Sequence, residues 1–115
     1  MKIEAKEHIS SGFSAKDAEI ISLIINKGLE SEKSVEIDFK DIRYFTTLFF
    51  NLALTSLLDK MSNEEYQSRI KIINLSEVGQ ETYEHSYENA VEYYKLSEDE
   101  RREREKRISE TTNMM

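Results

Sequence analysis

Apolar residues along this chain recur with two alternating periods, about 2 in short stretches and about 3.6 in longer ones. A period of two predicts a strand with one covered face, and a period near 3.6 predicts an amphipathic helix. The short period occupies residues 1–7, 35–39 and 69–75, and a helical pattern follows each of them. The order strand-helix-strand-helix-strand-helix predicts a small βαβαβα domain of the α/β class, with a mostly parallel sheet, right-handed crossovers, and two or three layers.

The first predicted helix has a clear beginning and two candidate ends. Ser14 followed by Asp17 resembles a capping box, because the hydroxyl can accept a backbone N–H and the carboxylate faces the positive end of the helix. The helix ends at Gly28 or in the polar cluster 31–34. Apolar positions at helical spacing follow the cap: Ala18, Ile21, Ile25 and Leu29.

Two further helices are predicted in the first 96 residues. One covers residues 47–61, begins near Thr46 or Thr47, and has a wide apolar face. The members of that face are Phe50, Ala53, Leu54, Leu57, Leu58 and Met61. Residues 63–65 form a turn or a short helix. Ser76 caps the other helix, whose tyrosine-bearing face we interpret as core packing with hydroxyls that reach water.

The last 20 residues differ from the rest in composition. Ser97 with Glu100 forms a second capping box, and closely spaced acidic and basic residues then favour a charged helix to about Glu110. Residues 111–115 are expected to fray. The sequence therefore divides into an α/β domain, residues 1–96, and a charged helical extension, residues 97–115.

Composition limits the partners and the compartment. The net charge of −7 disfavours nucleic acid as a partner. The most apolar stretch, residues 45–58, is too short to span a membrane, and residues 1–8 lack the continuous apolar core of a secretory signal. The absence of cysteine fits a reducing compartment, so we expect a cytoplasmic protein.

Histidine and cysteine, which often act as nucleophiles, general bases or metal ligands, are rare or absent in the sequence. There are two histidines and no cysteine, and no nucleophilic triad is recognisable. Glu81 and His85 are four residues apart and could share a helix face as metal ligands, but a third ligand is not evident, and a solvated polar face is the preferred interpretation. We therefore expect no enzymatic activity, no cofactor and no metal site.

The segment Val35–Phe50 resembles a known family. It reads as a strand ending in Asp-Phe, a short link, the hydroxylic pair Thr46-Thr47, and an apolar helix. In this it resembles the STAS-like family, a domain of unknown function related to the STAS domains of anti-sigma factor antagonists. The helix start at Ser14 and the strand at 69–75 fall where that family would place them, so the resemblance covers about residues 1–93.

The resemblance implies a bacterial signalling module that binds a protein partner, such as a kinase-like ATPase or an anti-sigma factor. In the antagonists the strand-to-helix turn is the docking surface and is controlled by phosphorylation. Carried over, the phosphorylated residue is Thr47, with Thr46 as the alternative. A hydroxyl at a helix N-terminus is also a favourable place for added negative charge. The structural alternative is that one of the two threonines is simply the N-cap.

Apolar residues of the helix 47–61 exceed what one buried face requires. Turning Phe50, Leu54, Leu57 and Met61 toward the sheet leaves Leu48, Phe49 and Leu52 on the flank or the far side. They are either covered by a neighbouring helix or exposed as a patch for a partner. We therefore predict partner binding through Thr46, Thr47, Leu48, Phe49 and Leu52. The alternative is a structural homo-oligomer, or an accessory subunit of a larger assembly, built on the apolar face of this helix.

Overall fold

The computed structural model describes residues 1–95, so the predicted extension at 97–115 lies outside the described residues. Three strands and four α-helices are present in residues 1–95. The strands are β1 (Lys2–Glu4), β2 (Val35–Asp38) and β3 (Ile70–Ile73). The helices are α1 (Ala15–Ser31), α2 (Thr47–Ala53), α3 (Asn63–Arg69) and α4 (Glu77–Tyr94), with 3₁₀ turns at Ala5–Glu7 and Thr55–Asp59.

The sheet has the order β1-β2-β3, and both strand pairs are parallel, as the alternation of strands and helices predicts. In the register, Ile37 of the central strand pairs with Ile3 on one side and with Ile72 on the other. These residues point to the same face of the sheet, because paired residues share a face. Ile3 and Ile37 are buried and Ile72 is half-buried.

The opposite face of the sheet carries charge. Here Glu36 of β2 lies between Lys2 of β1 and Lys71 of β3, and both lysines are exposed. A sheet buried on both faces would show continuous apolar strands rather than this alternation. The helices of residues 1–95 therefore cover one face, and of the two predicted arrangements this part of the chain adopts the two-layer one.

Helix α2 occupies the middle of the helical layer and packs against both α1 and α4. Its buried residues Phe49 and Phe50 join Phe39, which follows β2, and Phe45 in an aromatic cluster. Ring centroids in this cluster lie 5.1–6.2 Å apart, within the range in which aromatic pairs attract one another. The cluster anchors α2 over the end of the central strand.

The predicted helix starts are confirmed. The hydroxyl of Ser14 accepts the Asp17 N–H at 3.1 Å, and that of Ser76 accepts the Gly79 N–H at 3.1 Å. Each bond satisfies one of the backbone donors that a helix N-terminus leaves free. Helix α1 continues past Gly28 to Ser31, so the second of its two candidate ends is the observed one.

The helix predicted over residues 47–61 is shorter than expected. It ends at Ala53, Leu54 leaves the helical conformation with φ −128° and ψ −62°, and a 3₁₀ turn follows. The buried hydroxyl of Thr55 contacts the Phe50 carbonyl oxygen at 3.3 Å and the Ser86 hydroxyl at 2.9 Å. Bonds of this kind offer the backbone an alternative to the regular helix. The break still places Leu57 and Leu58 in the core.

Two strand predictions also need correction. The first strand ends at Glu4 instead of residue 7, because Ala5–Glu7 forms a 3₁₀ turn. The third strand, predicted over residues 69–75, covers only Ile70–Ile73, and within residues 1–95 it is an edge strand that pairs only with β2, with Lys71 exposed. The best buried strand is β2, since it is the central one.

The tyrosines of α4 pack against the core as predicted, but the hydroxyls of Tyr83 and Tyr87 bond to other side chains, where contact with water was expected. Tyr83 and Tyr87 are half-buried against the core, and the hydroxyls of Tyr83 and Tyr66 lie 2.7 Å apart. Burial raises the pKa of Tyr83 to about 12 and also raises the pKa of Tyr66. Both hydroxyls therefore remain protonated at neutral pH, and one donates to the other.

Candidate functional site

Three loops meet at the carboxyl edge of the parallel sheet, where each strand ends. The loop after β1 contacts the loop after β2 through two backbone hydrogen bonds. The Gly12 N–H donates to the Tyr44 carbonyl oxygen at 2.7 Å, and the Thr46 N–H donates to the Gly12 carbonyl oxygen at 2.9 Å. The predicted turn at Thr46 and Thr47 is therefore held in place by a segment that lies far from it in the sequence.

The ring of Phe45 fills the space between two glycines at this edge. A Cβ added to Gly12 would lie 2.4 Å from Phe45 Cδ1, and a Cβ added to Gly79 would lie 2.9 Å from Phe45 Cδ2. Both distances are shorter than carbon atoms tolerate. Glycine at these positions lets the loop after β1 and the start of α4 close on the ring, so the base of the turn is tightly packed.

Thr46 is the N-cap of α2, as the structural alternative for this pair proposes. Its Oγ1 accepts the Phe49 N–H at 3.1 Å and donates to the Phe13 carbonyl oxygen at 3.0 Å. The hydroxyl therefore fixes the start of the helix and also ties it to the loop that precedes α1. Both hydrogen-bonding roles of this hydroxyl are in use.

Thr47 is the first residue of α2 and differs from Thr46 in its contacts. Its side chain is half-buried, and within residues 1–95 its hydroxyl makes no side-chain hydrogen bond. A group added to this hydroxyl would break none of the hydrogen bonds that hold the turn. Phosphorylation of either threonine stays a prediction.

The three apolar residues predicted to lie outside the core separate into two groups. Leu48 is 52% exposed and Leu52 is 42% exposed, whereas Phe49 is completely buried. The placement of Phe49 on an exposed patch was therefore wrong. The ring of Phe49 packs against Phe39 and Phe50. Helix α2 packs against both α1 and α4, so the buried side of the helix is wider than it would be if only one face were packed.

A groove between α1 and α2 extends the exposed apolar surface. Its volume is about 330 Å³, and it is lined by Leu52 of α2 and by residues of α1: Ala15, Glu19, Ser22 and Leu23. Leu23 is 65% exposed. The sequence analysis missed this residue. The available signal was its position on the far side of α1 from Ile21 and Ile25, where a core leucine is not expected.

The exposed side of α2 is uncharged. Charged residues make up 34% of the chain, but none occurs from residue 45 to residue 58. Besides Phe45, the positions in this stretch that are at least partly accessible are Thr46, Thr47, Leu48, Asn51, Leu52 and Ser56. Charge is depleted in the same way at the centres of protein–protein interfaces. We call the surface formed by Leu23, Thr47, Leu48, Asn51 and Leu52 the neutral surface.

Polar contacts at the carboxyl edge centre on Asp38, the last residue of β2. Its Oδ1 accepts hydrogen bonds from Asn74 Nδ2 at 3.0 Å and from the Lys40 N–H at 2.9 Å. Its other oxygen lies 3.7 Å from Lys2 Nζ. The Asn74 bond, followed by the Lys40 bond, lowers the pKa of this carboxyl below its ordinary value. The ionised Asp38 therefore joins the loops that follow β2 and β3.

Two other functions considered from the sequence, metal binding and membrane spanning, have no support in residues 1–95. Within residues 1–95, no group of three histidine, aspartate or glutamate side chains is arranged to hold a metal ion, and His85 and Glu81 are both exposed. In the same part of the chain, no helix has the length and apolar character that crossing a membrane requires.

Comparison with known proteins yields one match. A family model described as a STAS-like domain of unknown function (DUF4325) matches residues 17–80, more than half of the chain. The matched range contains all of β2, α2, α3 and β3 and all but the first two residues of α1, and with them every residue of the neutral surface. No curated protein and no solved structure gives a significant match.

Proposed function

Since the chain belongs to the family of STAS-like domains of unknown function, we propose that it is a non-enzymatic module that binds a protein partner through the neutral surface. The observation that carries the proposal is the uncharged, leucine-bearing side of α2 at the carboxyl edge of the sheet. Leu48 and Leu52 lie one helical turn apart, so one partner element can contact both. Binding would remove apolar surface from water without separating any ion pair.

The partner class follows from the family resemblance. Related STAS domains act as anti-sigma factor antagonists, so the proposed partner is a kinase-like ATPase or an anti-sigma factor in the bacterial cytoplasm. In this proposal Thr47 is the phosphorylated residue, because its hydroxyl makes no side-chain hydrogen bond within residues 1–95 whereas Thr46 holds the helix cap. A phosphate on Thr47 would put about two negative charges on a surface that carries none, and would weaken an apolar contact.

The test is a binding measurement with purified proteins, using a kinase-like ATPase encoded beside this gene as the partner. Leu48→Asp and Leu52→Asp each place a charge on the neutral surface while leaving the core intact. We expect each to weaken binding more than about tenfold in calorimetry, since a charge without a partner at an interface costs more than about 1.4 kcal/mol.

The matched control is Lys71→Gln on the uncovered face of the sheet. It changes the net charge by the same amount as a leucine-to-aspartate replacement, but lies on the side of the sheet away from the helices. Its affinity should equal that of the unmodified protein. Equal affinity for all four proteins would refute the proposed surface. Phe49→Asp is unsuitable, because it buries a charge in the core and unfolds the protein.

A homo-oligomer, or a place as an accessory subunit of a larger assembly, is the second candidate function. The neutral surface favours it in one respect: an uncharged patch with leucines and an amide is complementary to itself, so two copies of an acidic chain could meet there without local repulsion.

A further inference from the structure

A depression open to solvent, which we call the cavity, lies where β2 and β3 end and is separate from the neutral surface. It has a volume of about 520 Å³ and is lined by residues 40–43 and 74–76. This volume falls in the range of small-molecule sites, about 300–1,000 Å³. In open α/β sheets, ligands bind outside the carboxyl ends of the strands, which is the position of this cavity.

The two loops that line the cavity are fixed relative to each other. The Asp38 carboxylate accepts a hydrogen bond from each loop, and the Phe39 N–H donates to the Ile73 carbonyl oxygen at 3.0 Å. Asp41 and Asn74 adopt left-handed backbone conformations, with φ of 69° and 59°. Aspartate and asparagine tolerate this conformation better than other non-glycine residues. The walls are therefore formed before any ligand binds.

Two cationic side chains line the cavity, Lys40 and Arg43, and neither forms an ion pair within residues 1–95. Of the two arginines in residues 1–95, Arg69 donates to Glu65 and to three backbone carbonyl oxygens, whereas Arg43 makes no side-chain hydrogen bond or ion pair in this part of the chain. The Lys40 ammonium is likewise without such a contact among these residues. The carboxylate of Asp41 in the lining is balanced by Lys6 Nζ at 3.3 Å.

We propose that this cavity binds a small anion carrying phosphate groups, held by the guanidinium of Arg43 and the ammonium of Lys40. The planar guanidinium presents paired donors that match phosphate oxygens, and a lysine adds a mobile charge beside it. The acidic net charge of the chain makes an unused cationic pair notable, because anions are repelled from most of the remaining surface.

The probe is pyrophosphate, titrated into ¹⁵N-labelled protein at constant ionic strength and followed by amide NMR shifts. We expect saturable shifts confined to residues 40–43 and 74–77. The double variant Lys40→Ala/Arg43→Ala should bind at least about tenfold more weakly, because it removes two charge-assisted contacts. The matched control is Lys16→Ala/Lys27→Ala, which removes the same charge from exposed lysines of α1.

Three outcomes would overturn this proposal: shifts that spread over the surface without saturating, equal weakening in the two double variants, or full affinity after removal of Lys40 and Arg43. Unaltered thermal unfolding is expected for both double variants. Should the first one unfold, Arg43→Lys, which keeps the charge and loses the planar fork, must weaken binding on its own. Leu48→Asp and Leu52→Asp should bind pyrophosphate normally, so this site and the partner surface fail or succeed separately.

Discussion

Asp38 shows how one side chain can organise an edge of the sheet. Its carboxylate is almost inaccessible, yet it lies on the sheet face that the helices of residues 1–95 leave uncovered. It stays ionised because Asn74 and the Lys40 N–H donate to it and Lys2 lies close by. Hydrogen bonds to an ionised group are stronger than neutral ones, so this residue contributes to stability and to the shape of the neighbouring cavity.

The contribution of Asp38 should depend on pH. Its folded-state pKa is lowered, so the stabilisation is fully present above the unfolded-state pKa near 4 and is lost as the pH falls through the folded-state value. We expect Asp38→Asn to lower the free energy of unfolding by about 1 kcal/mol at pH 7. The difference should disappear in strong acid. Urea unfolding of both proteins between pH 2 and pH 7 measures it, and a gap that is independent of pH would contradict the assignment.

At the scale of the element, α2 combines a structural and a functional side in seven residues. Phe49 and Phe50 fill the core, and Leu48 and Leu52 remain accessible. An isolated helix this short is unstable in water, so its geometry depends on its cap and on packing. The cap is therefore the point at which the neutral surface is most sensitive to mutation.

Thr46 and Thr47 should respond differently to the loss of their hydroxyls. Thr46→Val removes both the cap to the Phe49 N–H and the bond to the Phe13 carbonyl oxygen. We expect it to lower the free energy of unfolding by about 1–2 kcal/mol. Thr47→Val should change it by less than about 0.5 kcal/mol. Chemical denaturation compares the pair directly, and an equal loss in both variants would show that the hydroxyl of Thr47 also supports the turn.

At the scale of the whole molecule, the helices of residues 1–95 cover one face of the sheet. The other face is a charged one, on which Glu36 lies between Lys2 and Lys71. Opposite charges on neighbouring strands attract one another, and charged side chains are well hydrated. This face of the sheet can therefore remain in contact with water. The helical layer, in contrast, exposes apolar residues, among them Leu23 and Leu52 in the groove between α1 and α2.

The oligomeric state distinguishes the two candidate functions. Both copies in a homo-oligomer carry the same net charge of −7, so long-range repulsion between them opposes self-association. We therefore expect light scattering at micromolar concentration to give the 13.5 kDa of a monomer. A dimer that Leu52→Asp dissociates, and that Lys71→Gln leaves intact, would favour the homo-oligomer instead.

Interactions between residues close in the sequence made much of this fold predictable. The strand and helix order follows from side-chain periodicity, and the caps at Ser14, Thr46 and Ser76 follow from hydrogen bonds that span three residues. A turn before α2 was predictable for the same reason. These features depend only on residues that are close to one another in the sequence. For that reason the sequence alone is enough to predict them.

The remaining features depend on residues that are distant in the sequence. Phe49 is buried and Leu48 is not, because α1 and α4 close on two sides of α2. The helix breaks at Leu54 where Thr55 meets Ser86, 31 residues away. The sequence by itself determined which elements form and where they start. Only the tertiary structure decided which face of the sheet the helices of residues 1–95 leave open, which leucines join into one surface, and which charges at the cavity have no partner among those residues. Each of these depends on what packs against it.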